Sequence, residues 1–281
     1  MKWYQRLSLL LSLLLAIFVG RIVYIERDFL ISIYEITQFE NSYYTKELRA
    51  DGGVNYHQVS EKPSDWVSFK DISKNIKGAI LVSEDGKFYR HQGYDPESLR
   101  DRIYDVFVLK RKLKGGSTIT QQLVKNLYLS KDKTLSRKGR ELVLTLILEK
   151  YASKDKIYET YLNSIEYGKN LYGIKSASEF YFKKSPKLLR PREAAFLAML
   201  LPNPVRYSRS FKNKILSRYA RRQVDSILLR MRQNNFIGPM EYETNINGHM
   251  GFERYIPVEE KTDVNSDEEI YTFTSESSSE S

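Results

Sequence analysis

The chain has 281 residues, of which 41% are hydrophobic and 13% aromatic, enough for one folded domain with appendages, which excludes a wholly disordered protein. It contains no cysteine, which excludes disulfide scaffolds, thiolate nucleophiles and cysteine-bound zinc. The formal charge is +10 although the last 23 residues hold eight acidic residues and one lysine. The body is therefore strongly basic and suits an anionic partner, which is a nucleic acid, an anionic membrane or a phosphorylated substrate.

The first predicted element is an apolar helix from Leu7 to Ile25, interrupted only by Ser8, Ser12, Gly20 and Arg21. As a helix its 19 residues span roughly 28 Å, about the thickness of a bilayer core. Residues 1–27 are thus predicted to form a cytoplasmic stub and a transmembrane anchor. The alternative is a cleaved signal peptide, but no A-x-A-like cleavage site follows. Lys2 and Arg6 before the span favour a cytoplasmic N-terminus.

The rest of the chain divides by composition. Residues 28–60, with a turn signal at Asp51-Gly52-Gly53, are predicted as a stalk or linker, or a first subdomain. Residues 61–235 are predicted to form the main folded domain and are mainly helical, with no competing series of strands. Its apolar-periodic helices are expected at residues 73–84, 119–129, 138–151, 155–163, 171–182 and 191–201. A C-terminal extension (236–258) and an acidic, disordered tail (259–281) follow.

Two acids, Glu84 and Asp85, follow the apolar helical stretch Ile76–Val82 and precede Gly86. A carboxylate that leaves an apolar helix into a cleft tends to have a raised pKa, which suits acid–base catalysis. The alternative is an ordinary solvated helix end.

Residues 115–126 read Gly-Gly-Ser-Thr-Ile-Thr-Gln-Gln-Leu-Val-Lys-Asn. Thr118 and Gln121 have capping-box spacing, so a helix is expected to start here. Its first-turn amides and dipole, with Gln122 and Lys125 on one side, suit a phosphate. The alternative is a plain N-capped helix.

Glu141 follows Arg137, Lys138 and Arg140 at the start of a stretch, Leu142–Glu149, that is apolar nearly all round and therefore buried. A carboxylate in this position is either a structural ion pair or a second active-site acid, and both interpretations stay open. Thr145 is expected on the same helix face as Glu141.

Taken together and in order, these segments resemble the family 51 glycosyltransferases, the peptidoglycan polymerases found alone or fused to penicillin-binding transpeptidase domains. The resemblance runs from about Trp66 to Tyr207. It rests on five motifs, which are residues 84–95, 115–126, 137–141, 156–163 with 172–174, and 193–204. Two departures are Lys183, where a glycine is expected, and Asp101-Arg102, where Arg-Ala is expected.

The resemblance implies a mainly α, lysozyme-like glycosyltransferase domain with an N-terminal transmembrane helix. It implies that lipid II is polymerised into β-1,4 glycan strands by inverting transfer, with release of undecaprenyl pyrophosphate. Glu84 is then the base that takes the proton of the acceptor hydroxyl, and Glu141 is a second catalytic residue. Lys125, Lys133 and Arg137 are expected to meet the charge of the leaving group. Glu141 either orients these cations or helps to hold the Mg²⁺ or Mn²⁺ that the family often requires.

The resemblance also implies a substrate-binding set, namely Asp85, Phe88, His91, Gly93, Ser117, Thr118, Gln121, Gln122, Lys125, Asn126, Lys133, Arg137 and Lys138. Within it, Phe88 and Gly93 are expected to shape the turn that aims Glu84. His91 is interpreted as a hydrogen-bonding loop residue or else a substrate contact. Residues 104–114 alternate apolar and basic side chains and are either an interfacial element on anionic lipid or a solvated basic loop.

The expected location is the bacterial inner membrane, single-pass, with the catalytic domain on the outer face. The expected partners are lipid II, the lipid-linked glycan, the membrane and other wall-synthesis or division proteins, but no nucleic acid. Ser130-x-x-Lys133 and Ser153-x-x-Lys156 lack a following Lys-Thr-Gly, so transpeptidase activity is not expected. The alternatives are a lysozyme-like, glycan-cleaving enzyme and an inactive membrane scaffold.

Overall fold

A computed structural model describes residues 3–50, 53–97, 100, 116–130, 132 and 134–254. Over this part the chain is mainly helical, as predicted. Several predictions fall outside the described residues, namely those for Gly115, Lys133, Asp101-Arg102, the basic segment 104–114 and the acidic tail.

The N-terminal helix α1 (Trp3–Ile25) is followed directly by α2 (Arg27–Thr37). Among the helices of the described residues, none has both the length and the hydropathy needed to cross a membrane. The anchor therefore stays a prediction.

Residues 28–60 hold α2 and an antiparallel hairpin of β1 (Tyr43–Leu48) and β2 (Val54–Val59). The two strands flank the predicted turn signal, and the Arg49 amide donates to the Gly53 carbonyl over 2.8 Å. Ile36, Phe39 and Tyr44 are buried in the hydrophobic core. The segment therefore contributes to the hydrophobic core, and its assignment as a stalk or a first subdomain stays a prediction.

The remaining helices form the core. They are α3 (Lys74–Glu84), α4 (Ile119–Tyr128), α5 (Leu135–Tyr151), α6 (Lys154–Ser164), α7 (Ile174–Phe182), α8 (Pro191–Leu200), α9 (Pro204–Tyr207), α10 (Arg209–Lys212), α11 (Arg218–Gln233) and α12 (Pro239–Ile246). Every residue of α8 is buried, because α3, α11 and α12 pack around it. Serine or threonine hydroxyls cap α3, α4, α5, α6 and α11 by accepting a first-turn amide, which fixes where these helices begin.

Two predicted helix starts were displaced. α5 begins at Leu135 rather than residue 138, because Thr134 caps it. The helix predicted from residue 171 begins at Ile174, because β3 (Glu166–Gly168) and β4 (Leu171–Tyr172) form a second short hairpin there. Gly173 has a φ of +84°, a conformation that ends the strand and that glycine adopts without strain. Within residues 61–235, where no competing series of strands was expected, this short hairpin is the departure seen in the described residues.

Candidate active site

The Glu84 carboxylate lies at the C-terminal end of α3 and faces α4. Gln122 donates a hydrogen bond from Nε2 to Glu84 Oε2 over 3.0 Å. The Oε1 atom of the same Gln122 carboxamide accepts a hydrogen bond from the Tyr161 hydroxyl of α6, also over 3.0 Å. Three helices thus meet at this carboxylate.

The surroundings of Glu84 act on its pKa in both directions. Burial raises it above the ordinary glutamate value, the Gln122 hydrogen bond and the charges of Arg230 and Lys125 oppose that rise, and the Asp85 charge adds to it. The pKa is raised overall, which confirms the prediction made from the end of the apolar helix. A carboxylate of this kind accepts a proton more readily than a solvated one.

Asp85 connects the first motif to the second. It is buried and accepts hydrogen bonds from the Ile119 amide over 3.0 Å and from His91 Nε2 over 2.9 Å. His91 Nδ1 accepts from the Gly93 amide over 3.1 Å, which leaves the proton on Nε2, where it points at Asp85. Asp85 therefore meets the N-terminal amides of α4, where a carboxylate is favoured, and holds its start beside Glu84. His91 is the hydrogen-bonding loop residue that was one of its two interpretations.

Gly93 lies where this loop packs against α5. Its φ is +85°, and a Cβ there would lie 2.5 Å from Thr145 Cγ2, so only glycine fits without strain. The Thr118 hydroxyl donates to the Gly93 carbonyl over 2.7 Å. Thr118 and Gln121 form the predicted capping box, which occupies the Gln121 carboxamide at the start of α4.

Phe88 is fully buried and packs against Tyr158 of α6. The ammonium of Lys154 lies over the Phe88 ring, 4.3 Å from its centroid. Burial on all sides makes Phe88 a support for the turn after Glu84 and leaves it no surface for substrate.

A second cluster lies at the start of α5. Glu141 is 2% exposed, and its Oε2 accepts from Arg137 NH1 over 2.7 Å while its Oε1 accepts from Lys138 Nζ. Partial burial lowers the pKa of Lys125, the charge of Glu141 opposes this, and those of Arg137 and Lys138 reinforce it. Three cations therefore surround one buried carboxylate, which leaves the cluster positive and suited to a pyrophosphate.

The residues around Glu141 do not fit a metal held by the protein. Both of its oxygens are occupied by cations, and the described residues contain no group of three His, Asp or Glu side chains with metal-site geometry. The predicted Mg²⁺ or Mn²⁺ therefore gains no site here.

Other predicted residues lie at the edges of this region. Asn126 is exposed on α4, Ser117 is half-buried just before α4, and the Ser117 carbonyl accepts from Gln122 Nε2 over 3.4 Å.

Arg230 of α11 belongs to the site but was missed from the sequence. Its guanidinium donates to the Val82 carbonyl in the last turn of α3 over 2.8 Å, and its charge opposes the raised pKa of Glu84. No local signal marks it, because Arg230 is one of several arginines in an amphipathic helix. Tyr161 lies within the fourth motif, but nothing in its neighbours assigns it a role.

The transglycosylase family model matches residues 52–232. A biosynthetic peptidoglycan transglycosylase from Acinetobacter baumannii (strain ATCC 17978) is 41% identical over 179 residues, which are 61% of this chain and 76% of that protein. One of the same description from Herminiimonas arsenicoxydans is 44% identical over 167 residues, 59% of this chain and 70% of that protein. Penicillin-binding protein 1A from Haemophilus influenzae aligns with 75% of this chain and 21% of its own, at 17% identity and a TM-score of 0.34.

Proposed function

The chain belongs to the transglycosylase family, and we propose that it is a peptidoglycan glycosyltransferase that polymerises lipid II into β-1,4 glycan strands. The observation that carries the proposal is the pairing of two features. Glu84 is a half-buried carboxylate with a raised pKa, and Lys125 of α4 links it electrostatically to the cationic cluster around Glu141 of α5. A proton acceptor beside an anion site is what transfer from a pyrophosphate requires.

In the proposed reaction, the 4-hydroxyl oxygen of the acceptor sugar attacks the anomeric carbon of the donor. The bond from that carbon to the pyrophosphate oxygen breaks, and its electron pair leaves with undecaprenyl pyrophosphate. Glu84 takes the proton of the attacking hydroxyl, an effect that typically contributes about 10²- to 10⁴-fold. Attack from the face opposite the leaving group inverts the anomeric centre.

Lys125, Arg137 and Lys138 are proposed to meet the growing negative charge on the pyrophosphate. Glu141 fixes two of them in place through its ion pairs and lowers their mutual repulsion. Pyrophosphate is a good leaving group once cations balance its charge, so no general acid is needed. Since Glu141 is already occupied, no step is assigned to a divalent cation, and a metal requirement stays a prediction.

We also propose that α1 attaches the enzyme to the membrane that carries its lipid-linked substrate, with the domain on the outer face. The support is the apolar, exposed surface of this helix, which includes Leu11, Leu13, Leu14, Leu15, Ile17 and Phe18. The test is to compare the full chain with one that begins at residue 27 in carbonate-washed membranes. Release of the full chain by carbonate would overturn the attachment.

The activity is tested by incubating purified protein with lipid II in detergent and separating the products by gel electrophoresis. Glycan strands that lysozyme digests are expected, together with release of undecaprenyl pyrophosphate. Cleavage of preformed glycan without new polymer would instead identify a lytic enzyme. If the protein forms no polymer and cleaves no glycan, the result would point to an inactive scaffold.

A further inference from the structure

Tyr161 supports Glu84 without touching it, because Gln122 lies between the two side chains. Tyr161 lies on α6, is 1% exposed, and donates its hydroxyl hydrogen to Gln122 Oε1 over 3.0 Å. The other end of the Gln122 carboxamide donates to Glu84 over 3.0 Å. A chain of two hydrogen bonds thus joins a fully buried phenol to the carboxylate of the base.

This chain fixes the orientation of the carboxamide, which has one accepting and one donating end. With Oε1 bonded to the Tyr161 hydroxyl, the NH₂ group faces Glu84. The reversed orientation would set an amide oxygen against a carboxylate oxygen and leave the phenol facing an NH₂ group. Burial holds the pKa of Tyr161 well above its usual value, so the hydroxyl stays protonated as a donor throughout the working pH range.

We propose that Tyr161 is a positioning residue for the transfer reaction, which acts through Gln122 to aim the Glu84 carboxylate and keep it ionised. The inference rests on the proposed function for its kinetic consequence, but its structural consequence does not. The charged or titratable groups that face Glu84 are Asp85 beside it, Lys125 from α4, Tyr161 from α6 and Arg230 from α11. Tyr161 is the one among them that acts by ordering a neutral donor.

The test is Tyr161→Phe, which removes one oxygen and keeps the ring. The Gln122 carboxamide is then held only at its NH₂ end, by Glu84 and the Ser117 carbonyl, so its hydrogen bond to Glu84 weakens and the pKa of Glu84 rises. Because the ionised form is the active base, the acid limb of the kcat/KM profile moves to higher pH, by about 0.5 to 1 unit for one weakened hydrogen bond. At a pH on this limb, polymerisation falls by roughly three- to tenfold.

A matched control exists on the same helix. Tyr158 is also fully buried, and its hydroxyl donates to the Lys77 carbonyl over 2.6 Å, away from Glu84. Tyr158→Phe loses a buried hydrogen bond of similar kind, so it lowers the melting temperature but leaves the acid limb in place. In a Gln122→Ala background, Tyr161→Phe is expected to cause no further loss, since the two residues act in series.

A carboxyl ¹³C titration of Glu84 by NMR measures the same effect without any turnover. A higher Glu84 pKa in Tyr161→Phe than in the wild type supports the inference even if the wild type makes no polymer, an outcome that would sink only the proposed function. An unchanged Glu84 pKa would overturn the inference whether or not polymer forms. An equal rise of the Glu84 pKa in Tyr158→Phe would also overturn the inference. The same holds if the activity losses of Tyr161→Phe and Gln122→Ala multiply in the double variant.

Discussion

The Arg230 guanidinium donates to the Val82 carbonyl over 2.8 Å, although 148 residues separate them. Val82 lies in the last turn of α3, where carbonyl groups lack helical partners and the helix dipole is negative. Glu84 ends the same helix, so the dipole disfavours its ionised form. Arg230 therefore satisfies an unpaired carbonyl and sets a positive charge beside the base.

Replacing Arg230 with methionine should impair the base. Without the guanidinium charge the pKa of Glu84 rises further, so less of it is ionised at a given pH. The acid limb of the kcat/KM profile for lipid II is expected to move to higher pH, with roughly a tenfold loss on that limb. Arg230→Lys should restore part of the activity because it returns the charge but not the fixed donor geometry. Arg222→Gln, an exposed position on the same helix, is the control; an unmoved limb in Arg230→Met would contradict the assignment.

Glu84→Gln should strongly reduce polymerisation and make the fold more stable. The folded state raises the pKa of Glu84, mainly by burial, so the stability linked to the protonated form is present below the unfolded-state pKa and is lost as the pH rises through the folded-state pKa. Glutamine stays neutral and does not lose it. The melting temperature of the variant should therefore exceed that of the wild type at neutral pH, and the difference should shrink as the pH falls below the ordinary glutamate range. Polymerisation should drop by about 10²-fold or more. Wild-type rates in this variant would refute the base assignment.

Variants of Glu141 and Arg137 test whether Glu141 acts through the cations that it binds. Glu141→Gln leaves Arg137 and Lys138 without their counter-charge, which should lower the free energy of unfolding by about 1 to 3 kcal/mol. If Glu141 orients the cations, Glu141→Gln and Arg137→Met should reduce kcat/KM by similar factors, and the double variant should lose little more. If it acts directly on substrate, the two losses should instead multiply.

Features formed by residues close together in the sequence could be predicted from it, whereas those formed by helix packing could not. The capping box of Thr118 and Gln121 spans four residues and was predicted, as was the raised pKa of the acid that ends α3. The ion pairs of Glu141 lie within one helical turn, so one of its two interpretations already described them. Arg230 and Tyr161 reach the site only through the packing of α11 and α6, which no short pattern in the chain encodes.

Several residues predicted as substrate contacts instead support the fold around Glu84. Asp85, Phe88 and His91 were grouped with the substrate by their place in a motif, but their side chains are buried and face the protein. Their task in the structure is to hold the turn after Glu84 and to join it to α4. A motif preserves scaffold and reactive residues alike, and burial, which separates them, is set by the fold.

Gly93→Ala should destabilise the loop that carries this turn. The new alanine would have to keep a φ of +85°, and its methyl group would lie 2.5 Å from Thr145 Cγ2 in the buried face of α5. A loss of about 2 to 3 kcal/mol in the free energy of unfolding is expected. Gly86→Ala is the matched control, because no atom lies within 4 Å of its Cβ position and its φ is not positive. Equal melting curves for both variants would show that the loop yields to the methyl group.

Lys183→Gly should raise the free energy of unfolding, whereas Gly93→Ala should lower it. Lys183 follows α7 with a φ of +56°, where its amide donates to the Glu179 carbonyl over 3.1 Å, and it stands where the family resemblance led us to expect glycine. A side chain in the left-handed conformation costs about 1 kcal/mol that glycine avoids, so Lys183→Gly should raise the free energy of unfolding by about that amount. Glu179→Gly, at an exposed position inside α7, should lower it by roughly 0.5 to 1 kcal/mol. Chemical denaturation of both variants measures the contrast. A fall in stability for both would mean that contacts of the Lys183 side chain outweigh its backbone strain.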